Sequence, residues 1–253
     1  QLLYQELYPI LKNKVVFFPS DESLRVEALA SSQEIMGERI NALSAICQNE
    51  PLVVICHTHS YVRYIPHREL FLQNTLMLKE GMILEPVELR QKLIHSGYQM
   101  IQRVDEPFYY SKRGGVIDVY SIQYDNPIRI EFFDDEIESL RFFDKNTQRS
   151  LERVKEVTIL PATDLLYPDD EVKGVIEQIE MLKDQSDCDE YQDNLEEEIS
   201  IDIESLKAHD ASSRLYQYMS LFTTSTTLLS YFDDVYMMTS SYEKIKSVYH
   251  QYV

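Results

Sequence analysis

From Lys112 to Glu136 the sequence prescribes its own backbone. Lys112-Arg113 runs into the one adjacent pair of glycines, Gly114-Gly115, and the residues that follow, Val116-Ile117-Asp118-Val119-Tyr120, alternate in polarity. A second alternating run, Pro127 to Phe133, ends in Asp134-Asp135 before Glu136. Successive side chains of a strand point to opposite faces, so Ile128, Ile130 and Phe132 share one side and Arg129, Glu131 and Phe133 the other. The first set is wholly apolar and belongs against a core. The second set then faces outward, and an exposed Phe beside an exposed Arg is a pairing enriched at interface hot spots. The same pattern also fits a plainer arrangement, in which Phe133 covers the hairpin end and Arg129 pairs with Glu131 or Glu136. The alternation alone leaves both open.

Around this block the periodicity changes twice. Leu2, Leu3, Leu7, Ile10 and Leu11 recur at helical spacing, and the short apolar run 14–18 stops at Pro19, which predicts a helix and then a buried strand. Ser31 to Glu34 has the form of a capping box before a helical stripe that reaches about Cys47, and 51–56 is a second apolar strand suited to a parallel sheet. After Arg68 the expectation is a strand at 75–78, then a helix at 87–96 with Pro86 near its first turn and Gly97 at its left-handed end. Strands follow at 98–103, 115–120, 127–133, 136–143 and 154–160, with Asp134-Asp135 as a tight turn. From Ala162 helical spacing returns through Val172, Ile176, Ile179 and Leu182, and more loosely at Leu206 and 215–221. A late buried strand at 234–238 and a helix at 242–252 close the chain. The order predicts a mixed fold: an α/β domain split into 1–71 and 162–253, with an α+β domain containing an antiparallel sheet inserted at 72–161.

Composition excludes more than it proposes. The chain has 253 residues, 43 acidic against 24 basic, and the stretch 161–210 alone carries 17 acids against 3 lysines. Such a segment repels a phosphate backbone, so free-standing nucleic-acid binding is not expected, and the acidic run 184–198 reads as a solvated helical face or surface connection. Cys47, Cys56 and Cys188 have neither disulfide-framework nor zinc spacing, which fits a reducing, cytoplasmic setting. No apolar run is long enough to cross a bilayer. The chain begins with Gln1 and is read as a piece of a longer protein.

Chemistry has little foothold. None of the six glycines opens a phosphate-cradling Gly-x-x-x-x-Gly-Lys-Ser/Thr loop, so nucleotide hydrolysis and a bound cofactor are not expected. His57-Thr58-His59 with His67 has no completing carboxylate or thiol except Cys56 on the apolar strand, and reads as the start of a helix rather than a metal site. Ser111 has no neighbouring base. The one competing catalytic reading is a metal-dependent hydrolase or nuclease using Asp118, Asp134, Asp135 and Glu136, against which stands the divergence of consecutive side chains on a turn.

At these residues the sequence resembles the amino-terminal, UvrB-homologous region of the bacterial transcription-repair coupling factor (Mfd) family. The matching motifs are Arg113-Gly114-Gly115, Ile117-Asp118-Val119-Tyr120, the run from Pro127 through Arg141, Phe143-Asp144 with Gln148-Arg149-Ser150, and Leu160-Pro161-Ala162. The resemblance is strong over about 75–162, moderate over 2–70 and weak after Tyr167. It implies a UvrB-like α/β domain that has lost its ATPase motifs, hosting a module that recruits the excision-repair protein UvrA. By matching motif the UvrA contacts would be Arg113, Arg129 and Phe133, with no catalytic residue, metal or cofactor. RNA polymerase and DNA would be engaged only by parts of the longer proteins absent here, and no membrane is implied. One departure is Phe108-Tyr109-Tyr110-Ser111, which stands where the family has Gly-Glu-Phe-Ser and implies a differently shaped loop before Arg113; Ser121 in place of a usual Pro is a smaller one.

Overall fold

A computed structural model describes residues 2–20, 33–48, 50, 52–184, 192–239, 241–243 and 246–247. It divides into two compact units, one formed by Gln1–Leu70 with Tyr167–Val253 and the other by Phe71–Leu166. Helices and strands are mixed, and the larger sheet is mainly antiparallel.

In the first unit, α1 (Leu2–Leu11) leads to β1 (Val15–Phe18), and α2 (Gln33–Cys47) crosses to β2 (Val53–Cys56). The strands pair in parallel from Val15 opposite Val53 to Phe18 opposite Cys56. Ile40, Leu43 and Ile46 of α2 are buried with Val15 and Phe18. Arg39 is buried among them, where its Nη1 donates to the Pro19 carbonyl at 2.9 Å and its guanidinium stacks 4.4 Å from the Phe18 ring. A buried guanidinium persists only when it is so paired. The histidines at 57–59 do begin a helix, α3 (Thr58–Val62), followed by β3 (Ile65–Pro66) and α4 (Arg68–Gln73).

The later part of this unit holds α6 (Asp169–Asp184), α7 (Gln192–Lys207) and a 3-10 turn over Ser213–Leu221. Asp202 on α7 is buried, and Arg214, Gln217 and Tyr218 all bond its carboxylate. The stretch 234–238, expected as a buried strand, is instead irregular and open to water, with Met238 94% exposed. Its apolar run has no neighbouring strand among the described residues, and an unpaired strand is not stable alone. Of the acidic run 184–198, Asp184 ends α6 and 192–198 open α7, while 185–191, the expected cap at Ser31 and most of the expected helix at 242–252 lie outside the described residues.

The second unit contains β4 (Leu76–Lys79), α5 (Pro86–His95), β5 (Gln99–Met100), β6 (Tyr109–Arg113), β7 (Val116–Val119), β8 (Ile128–Phe133), β9 (Glu136–Phe143), β10 (Ser150–Val154) and β11 (Glu156–Ile159). Six of these form one sheet in the order β10-β9-β8-β7-β6-β5, antiparallel throughout except for β5 against β6. Pro86 opens α5 where its missing N–H is not needed, and Leu89 and Leu93 are fully buried. The helix stops at Gly97, whose φ of +84° continues a Schellman turn in which the Tyr98 amide donates to the Leu93 carbonyl at 2.9 Å.

Two departures from expectation have local causes. Only Gln99 and Met100 of 98–103 form a strand, whereas Tyr109–Arg113 is a full strand rather than a loop. Phe108, at the position where the family pattern has glycine, takes φ +73° with its ring buried, so packing of the ring offsets a strained backbone. The second is a bulge in β9: Glu131 opposes Ser139 but Phe132 opposes Ile137, so Glu138 is skipped. The bulge lets Ile137 and Leu140, three residues apart, both turn inward and be fully buried.

Candidate protein-docking face

The strand registers bring four charged residues of the sequence reading together. Arg113 opposes Val116 and Ser111 opposes Asp118 between β6 and β7, while Asp118 opposes Arg129 and Val116 opposes Glu131 between β7 and β8. Opposed residues share a face, so Arg113, Asp118, Arg129 and Glu131 all lie on one side of the sheet, with Ile117, Ile128 and Ile130 fully buried on the other. The Gly114-Gly115 turn makes this possible. Gly114 adopts φ +60°, and Gly115 lies so close to β8 that a Cβ there would meet the Phe132 carbonyl at 3.2 Å.

Asp118 is the centre of the face. Its carboxylate accepts from Arg129 Nε at 2.8 Å and Nη2 at 2.9 Å, and from Arg113 Nη2 at 2.9 Å. The two-point contact fixes the Arg129 fork in its plane, a geometry lysine cannot reproduce. These bonds hold the Arg129 proton above its ordinary affinity, the Asp118 hydrogen bonds outweighing the cost of burial. The Arg129 guanidinium also lies 4.6 Å from the ring of Phe143, which is buried with Val104 and Tyr120. Next to it Glu131 accepts from Arg141 at 3.1 Å and from the Ser139 hydroxyl.

The three expected contact residues are not equally available. Arg113 is 58% and Phe133 72% exposed, but the Arg129 side chain is only 18% exposed, so the expectation of an open Arg129 is corrected to a mostly covered one. Its carboxylate hydrogen-bond partner is Asp118, not Glu131 or Glu136. Phe133 shares the face but sits at the hairpin tip, ~13 Å along the strand from Arg129. A shallow basin of ≈ 460 Å³ opens beside the arginines, lined by Arg103, Arg113, Val116, Arg129, Glu131 and Gln148. It is suited to an acidic side chain carried in by another protein.

The remaining motif residues shape the rim. The Asp144 carboxylate accepts from the Thr147 amide at 2.6 Å and the Asn146 amide at 3.1 Å, and Gln148 Nε2 donates to the carbonyls of Val104 and Lys145. The Thr147 bond is the main cause of a depressed Asp144 carboxyl pKa. Because the folded value is the lower one, the loop's stabilisation is complete above the ordinary value of 3.8 and is lost as pH falls through the folded value. The protection factors of the Asn146 and Thr147 amides, taken relative to intrinsic exchange at each pH, are therefore expected to fall below that range before those of the sheet amides, which hydrogen-exchange NMR can follow.

The hydrolase reading loses its centre here. Both oxygens of Asp118 are occupied by guanidinium groups, and Asp134 and Asp135 form the solvent-facing turn of the β8–β9 hairpin, Asp134 at φ +58°. Among the described residues these carboxylates and Glu136 do not converge on a common point where an ion could be held.

Strands β6 to β9 thus carry a clamped arginine pair and an open aromatic on one face, an arrangement that can receive the surface of another protein. Residues 76–165 match the family described as the UvrB interaction domain. Over 92% of its length the chain is similar to the transcription-repair-coupling factors of Bacillus subtilis, at 29% identity, and Staphylococcus haemolyticus, at 27%. Over 64% of its length it is 30% identical to that of Staphylococcus epidermidis. The resemblance carried by the motifs is thus borne out, and the chain spans about one fifth of the length of the curated relatives it matches. No helix among the described residues is long and apolar enough to cross a membrane.

Proposed function

We propose that the chain is a non-catalytic docking segment that recruits UvrA through Arg113, Arg129 and Phe133. In the longer proteins it resembles, it would link a stalled RNA polymerase to nucleotide excision repair in the bacterial cytoplasm, with polymerase and DNA handled by other parts. On this reading 1–71 and 162–253 form one UvrB-like α/β domain without ATPase motifs, and 72–161 is the inserted UvrA-binding domain. The observation that carries the proposal is the Asp118-clamped arginine pair lying on the same sheet face as Phe133, within the segment similar to the UvrB interaction domain.

Two exposed positions give the cleanest test. Phe133→Ala leaves the core untouched, and Arg113→Ala keeps the two-point Arg129–Asp118 contact while giving up one bond to that carboxylate; each is expected to weaken UvrA binding by ~1–3 kcal/mol, Phe133→Ala with an unchanged melting curve and Arg113→Ala with at most a small shift. Arg129→Ala is a poorer probe, since it also removes the two-point partner of a buried carboxylate. Unaltered affinity of both exposed variants in a calorimetric titration with UvrA would refute the proposal.

A further inference from the structure

The face that carries the arginines extends past Phe133 onto a segment outside the motifs. The outer edge of the β8–β9 hairpin tip is held by 81–84: the Gly81 amide donates to the Ile137 carbonyl at 2.9 Å, the Ile137 amide to Met82 at 2.9 Å and the Leu84 amide to Asp135 at 2.7 Å. This places Ile83 opposite Glu136 in an antiparallel bridge, while Glu136 opposes Phe133 in the hairpin. Opposed residues project to the same side with Cα atoms ~5 Å apart, so Ile83, Glu136 and Phe133 form a row ~10 Å across on the side of Arg113 and Arg129.

Ile83 is 63% and Phe133 72% exposed, and Glu136 between them is open to water. Two large apolar side chains are thus displayed on a backbone that hydrogen bonds hold rigid, so seating a partner there requires little further ordering. An arginine pair and one ring cover far less than the ~800 Å² per partner of a stable interface. The surface must extend, and the row continues it without a break toward 81–84.

We infer that Ile83 and Glu136 belong to the docking face and help select the partner. The occupant is a protein surface with two apolar seats flanking a Lys, Arg, Asn or Gln donor that meets Glu136, adjacent to the acidic group received by the arginines. This rests on the UvrA-docking reading, and so the test separates the two. Titrate UvrA with the full chain as wild type, Ile83→Ser, Glu136→Lys, Arg113→Ala, Phe133→Ala and, as a control, Met77→Ser on the exposed side of β4. Ile83→Ser and Glu136→Lys are expected to raise Kd about ten-fold or more at unchanged melting temperature, with Met77→Ser within about two-fold. Should Ile83→Ser melt lower, Ile83→Thr, which keeps the branched Cβ, replaces it. Unchanged Kd for the Ile83 and Glu136 variants while Arg113→Ala weakens binding overturns this inference and spares the docking reading. Unchanged Kd for Arg113→Ala and Phe133→Ala overturns both. If the Ile83 substitution abolishes self-association in sedimentation but not UvrA binding, the row belongs to a second copy of the chain and the inference fails.

Discussion

Replacing Asp118 by Asn is expected to lower the free energy of unfolding by about 3 kcal/mol, because a buried ion pair stripped of one partner leaves uncompensated charge. Asp118 is 1% exposed and serves two guanidinium groups, one of them largely covered. An amide has one acceptor oxygen where the carboxylate has two, and its NH2 would face a donor. On the proposed docking reading UvrA binding should fall as well, since Arg129 would lose its two-point anchor and Arg113 its single bond. A second substitution separates these effects. Arg129→Met added to Asp118→Asn removes the unpaired charge and fills its place with an apolar chain over Phe143, so stability should largely return while binding does not. Urea unfolding of the three proteins decides the matter; a single variant within about 0.5 kcal/mol of wild type would show that Asp118 is not the anchor.

The second large effect lies at the end of α5. A Cβ on Gly97 would sit 2.4 Å from Cγ2 and 3.0 Å from Cβ of Thr163, at a φ of +84°. Both the left-handed backbone and the collision disfavour any side chain, and together they place Gly97→Ala at about 3 kcal/mol of destabilisation. Thr163→Ser in that background deletes the colliding methyl but keeps the hydroxyl that accepts the Leu165 amide. Thermal unfolding should recover the steric share and leave the backbone share. Equal stability of Gly97→Ala and wild type would mean that the Schellman turn can be rebuilt without a left-handed residue.

What the sequence makes legible depends on whether its pattern is local. The hairpin over 127–143 is readable because Ile128, Ile130 and Phe132 alternate with Arg129, Glu131 and Phe133, and α5 is readable from Pro86 and Gly97 at its ends. β6 is hidden: Phe108-Tyr109-Tyr110 is an unbroken aromatic run with no alternation, and its first residue takes a backbone conformation unusual for Phe. Asp118 shows the limit for the site. Alternation puts it on the outer face, but its role follows from lying opposite Arg129 on the next strand, and that register is set by turns and bulges rather than by spacing. The same gap makes Arg129 look open when Asp118 and Phe143 cover it. Ile83 escapes notice because its importance comes from one bridge to a hairpin more than fifty positions away. The run at 234–238 fails in the opposite direction, since strand-forming composition without a neighbouring strand forms nothing.

The pairing of β4 with β11, which sets Leu76 against Ile159, means that the chain exits the second unit beside the point where it enters. A module whose two ends emerge side by side can be spliced into a host loop without stretching it, and can be lifted out with no gap to bridge. Evolution can therefore move such a unit between hosts as a cassette, and an experimenter can graft it onto an unrelated carrier at a single loop.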